Sequence, residues 1–240
     1  MKRYLGFDCA HRTFAWCVID HDPSALRRVA DMITCARTEV AAVKGGVSYD
    51  GSDDGGSNGS TSINARLDNI MILLKNAQSE FGKFVTIQSC GVVDLLGGLT
   101  SKFTEIEHAR ALRNYLDSTP ELVPSTIDAV FVERQPPQLP GKMQNRKATA
   151  VGNQLVFYYA NHAPKYVSAG LKNKISLGPG YSLDDFGDNY AGRKKHTTAM
   201  LRRLAMLFGF EDKIIGIPAA TLNNLADAFM QVFAFLILRS

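Results

Sequence analysis

The chain has 240 residues, 45% of them hydrophobic and 21% charged, and 27 Lys and Arg against 23 Asp and Glu leave a net charge of +4. That composition is ordinary for a globular protein, and the length allows one large domain or two small ones with ample core. Arg3, Asp8, His11 and Arg12 interrupt the N-terminus, so no cleaved signal peptide is expected, and the apolar run 225–238 reads as too short for a bilayer span.

Residues 4–7 and 13–19 are two apolar runs separated by Ala10, His11 and Arg12, which predicts an N-terminal β-hairpin. Residues 29–40 read as a third extended segment. Residues 45–60 hold six of the twenty glycines with several Ser and Asp, too little apolar surface to offset chain entropy, so a flexible loop is expected over about 44–62. Asp50, Asp53 and Asp54 lack the bidentate Glu of a calcium loop. Ile63, Leu67, Ile70, Leu73 and Leu74 follow helical spacing, predicting a helix over 62–81. A strand over 85–96, a helix around 106–116 stopped by Pro120, and a strand over 129–132 follow. Pro136 and Pro137 forbid that strand's continuation. Helices over 149–160, 194–208 and 222–238 and a short strand at 166–168 complete a mixed α/β pattern.

Cys9, Cys17, Cys35 and Cys90 have no CxxC spacing, so reduced thiols in an intracellular protein are the expectation. No second Cys/His pair supports Cys9 and His11 as a zinc site.

The net charge hides an asymmetry. Residues 1–133 carry 13 basic and 17 acidic side chains, whereas 134–183 carry seven basic ones and no acid. Such a stretch suits an anionic partner, most simply nucleic acid. Three acids are oddly placed, one of them, Glu133, immediately before that stretch. Asp8 and Glu133 each end a predicted strand. Asp227 lies on an apolar helix between Ala226 and Ala228, where a carboxylate is costly unless a cation compensates it. Two Mg²⁺ ions bridged by carboxylates from separate elements can activate water and stabilise the leaving oxygen of a phosphodiester.

Three segments, Leu5-Gly6-Phe7-Asp8, Val130-Phe131-Val132-Glu133-Arg134-Gln135-Pro136 and Asn224-Leu225-Ala226-Asp227-Ala228, resemble the signature segments of the poxvirus-type Holliday junction resolvases, a RuvC-like group within the RNase H-like superfamily. Asn145-Arg146-Lys147, the segment around Tyr166 with Lys172 and Lys174, and Arg193-Lys194-Lys195 are similar to further parts of that family in the same order. The resemblance implies a single RNase H-like nuclease domain over residues 1–240: a mixed five-stranded sheet flanked by helices. It implies a homodimeric crossover-junction endodeoxyribonuclease that cuts opposed strands of a four-way DNA junction using Mg²⁺, with Mn²⁺ as a substitute. Neither a membrane nor a nucleotide cofactor is expected. On that reading Asp8, Glu133, Asn224 and Asp227 are the metal ligands, and Lys194 or Lys195 offsets charge at the scissile phosphate. Arg12, Arg134, Gln135, Lys142, Arg146, Lys147, Lys172, Lys174 and Arg193 are the expected DNA contacts.

One departure matters. The family normally has a carboxylate three residues before its last one, and here Asn223 and Asn224 occupy those positions. Residues 224 and 227 share a helix face, and an amide gives a metal one neutral oxygen without charge. Engineered Asp→Asn changes, a natural site using Asn as a weak ligand, and an inactive junction-binding relative are all compatible with the sequence. An RNase H acting on RNA–DNA hybrids uses similar carboxylates. An actin-like ATPase is disfavoured, since Cys9-Ala10-His11 follows Asp8 where a Gly and a hydroxyl residue usually stand.

Overall fold

The computed structural model describes residues 1–9, 13–46, 58–95, 97, 104–135 and 146–239. These form two compact units, one of Met1–His21 with Thr86–Ser240, the other of Asp22–Val85.

The larger unit is built on a five-stranded sheet. Its strands are β1 (Lys2–Cys9), β2 (Thr13–His21), β3 (Val85–Asp94), β4 (Ala129–Arg134) and β5 (Lys165–Ser168), in the order β3-β2-β1-β4-β5. β1 and β2 pair antiparallel, with Asp8 opposite Ala15. β1 and β4 run parallel in register Phe7 to Val132, and β4 and β5 run parallel in register Glu133 to Val167. The mixed α/β sheet flanked by helices is the architecture expected from the sequence.

Side-chain alternation along the strands decides which face each residue joins. Leu5, Phe7, Cys9, Val130 and Val132 enter a core with Leu112 and Leu116 of α3 (Glu105–Ser118) and Val151 and Leu155 of α4 (Arg146–Tyr158). The intervening residues Gly6, Asp8, Phe131 and Glu133 therefore face the other side. There α7 (Ala219–Arg239) covers the sheet, with the Phe131 and Phe235 rings 4.7 Å apart between centroids. Gly6 sets the closeness of that contact: a Cβ at this position would lie 2.5 Å from both the Ala228 carbonyl oxygen and Val232 Cγ2. Only a residue without a side chain lets β1 touch the α7 backbone. α6 (Tyr190–Phe208) packs beside α7, capped by the Asn189 side chain accepting from the Gly192 amide at 2.7 Å. The four-residue helix α5 (Leu183–Phe186) precedes it.

α7 is longer than the apolar run suggested. Ala219–Leu238 is 20 residues, long and apolar enough to cross a membrane by length and composition, yet about two thirds of its most apolar window is buried within the fold. Its first turn, 219–224, supplies the residues that a hydropathy reading of 225–238 omits.

The second unit contains α1 (Ala25–Gly46) and α2 (Asn58–Gly82), which pack on each other. α1 overturns the extended segment expected at 29–40. Its inward stripe is weak in the sequence, because buried Ala25 and Ala36 recur among half-buried Val29, Met32 and Glu39, and packing against a partner helix outweighs β-branched propensity. Both helices also run into the predicted loop, to Gly46 and from Asn58. The Asp-rich stretch between them lies outside the described residues. Within this unit Arg28 joins Asp22 at 2.7 Å and Glu80 at 2.6 Å, and Ser24 Oγ donates to Asp22 at 2.6 Å.

Candidate active site

Parallel strands β1 and β4 end side by side, and their last inward-facing residues are Asp8 and Glu133. The register that pairs Phe7 with Val132 brings the two carboxylates to the same sheet edge, the carboxyl end of the strands, where open α/β sheets bind ligands. Asp227 reaches that edge from α7, one residue before the Ala228 that touches Gly6. Asp8, Glu133 and Asp227 are only 6%, 9% and 3% exposed. All three line a cavity of about 550 Å³ together with Cys9, Gln135, Asn173 and Asn224.

Two lysines neutralise part of this charge. Lys172, in the short 3₁₀ turn Lys172–Lys174 that follows β5, donates to Asp227 Oδ1 at 2.6 Å and lies 3.4 Å from Glu133 Oε1. Lys194 of α6 pairs with the other Asp227 oxygen, Oδ2. Burial by itself lowers the Lys172 pKa, but Glu133 and Asp227 outweigh it and hold the ammonium above its ordinary value. Lys194 is raised in the same way, burial opposing and Asp227 and Asp8 prevailing. Asp8 goes the other way for a carboxyl. Burial first, then the charges of Glu133 and Asp227, push it well above the usual carboxylate range, with Lys194 offsetting only part.

The helical repeat of α6 presents Tyr190, Arg193, Lys194 and Thr197 to the cavity, spaced i, i+3, i+4 and i+7. Lys195 is exposed on another face and does not line it, so of the two lysine candidates the structure brings only Lys194 to the carboxylates. The Asn pair divides likewise. Asn224 lines the cavity, whereas Asn223 accepts a 2.6 Å hydrogen bond from Thr198 Oγ1 and ties α7 to α6.

The expected DNA contacts are spread more widely. Arg193 and Gln135 line the cavity, Arg193 held by Asp188 at 3.0 Å and Gln135 donating weakly to the Cys9 carbonyl at 3.4 Å. Arg134, Arg146, Lys147 and Lys174 are exposed. Arg12 and Lys142 lie outside the described residues. Lys172 corrects the sequence reading: it is a buried partner of the carboxylates, not a surface contact, because the 3₁₀ turn folds it back over the ends of β4 and β5. The parallel register of those strands was the available signal, since it carries whatever follows β5 to the edge that holds Glu133. Nothing in the local sequence marked Asn173 or Tyr190.

The donor set suits a hard cation: carboxylates of Asp8, Glu133 and Asp227 with the amide of Asn224 are all oxygen ligands. Asn173 Oδ1, buried at the same cavity, has no hydrogen-bond partner and is a further free acceptor. The acids do not form a preformed cage, however. Among the described residues no three Asp, Glu, His or Cys side chains converge as a metal site, and both Asp227 oxygens are held by lysine.

No family profile and no curated protein matches the chain. Among solved structures, the chain is similar to the Fowlpox virus resolvase in a complex with substrate Holliday junction DNA. The two are 12% identical, the match covers 99% of each chain, and the TM-score is 0.45.

Proposed function

We propose that this chain is a Mg²⁺-dependent nuclease that cuts branched DNA, a Holliday junction resolvase acting as a homodimer with one active site for each of two opposed strands. The observation that carries the reading is the meeting of Asp8, Glu133 and Asp227, from two parallel strand ends and a helix, with Lys172 and Lys194 in one cleft. The ordered segments that contain these acids are those that resemble the resolvases.

Asp8, Glu133 and Asn224 would hold the ion, while Asp227 anchors Lys172 and Lys194 beside it. Bound there, a divalent cation lowers the pKa of a water and neutralises phosphate charge. The reaction is hydrolysis. A water oxygen bonds to phosphorus, the P–O3′ bond breaks, the 3′ oxygen takes a proton and the 5′ phosphate stays on the other fragment. Lys194, fixed by Asp227, would offset the negative charge that develops on the phosphate, and its raised pKa keeps it cationic. Arg193 and Gln135 at the cavity, with exposed Arg146 and Lys147 at the start of α4, would hold the phosphate backbone by charge and backbone N–H groups.

Asn224 favours a second reading, a catalytically impaired protein that binds junctions without cutting. The experiment offers four-way junction, RNA–DNA hybrid and duplex with Mg²⁺ or Mn²⁺, to the wild type and to Asn224→Asp. Symmetric nicks in the junction, stronger in the variant, support the resolvase. Tight junction binding without cleavage in either protein would replace it with the binding reading, and hybrid cleavage alone would make the chain an RNase H.

A further inference from the structure

Resting on the nuclease reading, we propose that each chain binds a single divalent cation, and that Lys172 holds the place of a second one. The case begins with Asp227. To bridge two ions with one oxygen on each, Asp227 would need both oxygens free, and here Oδ1 is bonded to Lys172 at 2.6 Å and Oδ2 to Lys194. Lys172 also leans on Glu133 at 3.4 Å, so one ammonium spans the two acids that a shared ion would bridge. It is no surface lysine that happens to reach inward, because its side chain is only 10% exposed and it has already left water.

Charge counting leads to the same end. Three carboxylates and two ammonium groups sum to −1, and Arg193 at the cavity rim is already paired with Asp188. One divalent ion takes the sum to +1, and two would take it to +3 in a buried space where no fourth carboxylate among the described residues offsets the repulsion. The position that could have supplied that charge is Asn224, and its neighbour Asn223 is committed to Thr198. The oxygens not held by lysine belong to Asp8, to Asn224 and to Asn173 Oδ1, with Glu133 shared, which is a set for one ion. A lysine in the second place supplies fixed positive charge at any metal concentration. It supplies no Lewis-acid site and no ion-bound water, so the nucleophile and the leaving oxygen are served by different kinds of cation.

The test is a count. Mn²⁺ is titrated into the full-length chain without DNA, and free ion is followed by electron paramagnetic resonance. The wild type is expected to saturate at one ion. Asn224→Asp adds an acid but leaves Lys172 in place, so it is expected to stay at one ion with about tenfold tighter binding. Lys172→Gln combined with Asn224→Asp is expected to bind two, with circular dichroism checking that it folds. Two ions in the wild type or in Asn224→Asp would overturn the inference, as would none in the wild type. Cleavage assays with and without Mg²⁺ report separately on the nuclease reading, which would survive a count of two.

Discussion

Two groups of carboxylates in this chain meet cations in opposite circumstances. In the α1–α2 unit, Asp22 and Glu80 bind Arg28 at the surface. Hydrogen bonds from Ser24 and then Arg28 pull Asp22 well below the usual carboxylate range, and Lys83 and then Arg28 lower Glu80. At the sheet edge Asp8 is buried beside two more acids, and burial pushes it up although Lys194 is near. The chemistry is the same and the solvent is not. Where water reaches, pairing satisfies the charge and the result is a modest staple. Where it does not, the lysines available leave charge uncompensated, and that deficit is what a bound cation can use.

The sharpest way to break this contrast is Asp8→Asn. Junction cleavage is expected to fall about 1,000-fold while the metal-free protein becomes more stable. The sign follows from the raised pKa of Asp8. Its contribution to stability is fully present below the ordinary carboxylate range and is lost as pH rises through the raised value. Thermal unfolding should therefore show the variant's advantage at pH about 7 and little of it near pH 4. A variant less stable than wild type at neutral pH would contradict the reading of a strained carboxylate.

Lys172→Met comes next, because it strips Asp227 and Glu133 of a buried partner. A loss of about 3 kcal/mol in denaturant unfolding is expected, partly restored by millimolar Mg²⁺. At the surface, Arg28→Ala should lower the unfolding midpoint only slightly, and in about 1 M salt, where screening is strong, the difference should shrink further. Smallest is Glu107→Gln in the Thr104 capping box of α3. Glu107 accepts from the Thr104 amide at 2.8 Å, which holds its pKa down. Its contribution is present above the ordinary Glu range and lost as pH falls through the depressed value, so wild type and variant should converge in acid.

What the sequence disclosed of this site was what local pattern can carry. Asp8 and Glu133 stood out because each closes an apolar run, and Asp227 because an acid on an apolar helix needs a reason. Asn224 followed from the family resemblance, and helical spacing put it on the face of Asp227. Lys172 did not, since its inward turn depends on the pairing of β4 with β5, which brings it to Glu133, 39 residues away in the chain. Lys194 and Lys195 were indistinguishable as neighbours until α6 acquired a phase. The helix α1 was missed for a related reason: a stripe of alanines and half-buried residues reads as helical only once α2 lies against it.

The missing side chain at Gly6 also governs how the cluster can move. With backbone against backbone, β1 and α7 have no soft layer between them, so Asp8 and Asp227 travel as one body while Lys172 and Lys194 approach from a turn and a neighbouring helix. A single methyl group at position 6 would have to be absorbed as a tilt of α7. That tilt would act as a lever on Asp227, one residue from the fulcrum at Ala228. On the proposed reading, such a change in the core would lower cleavage while leaving DNA binding intact.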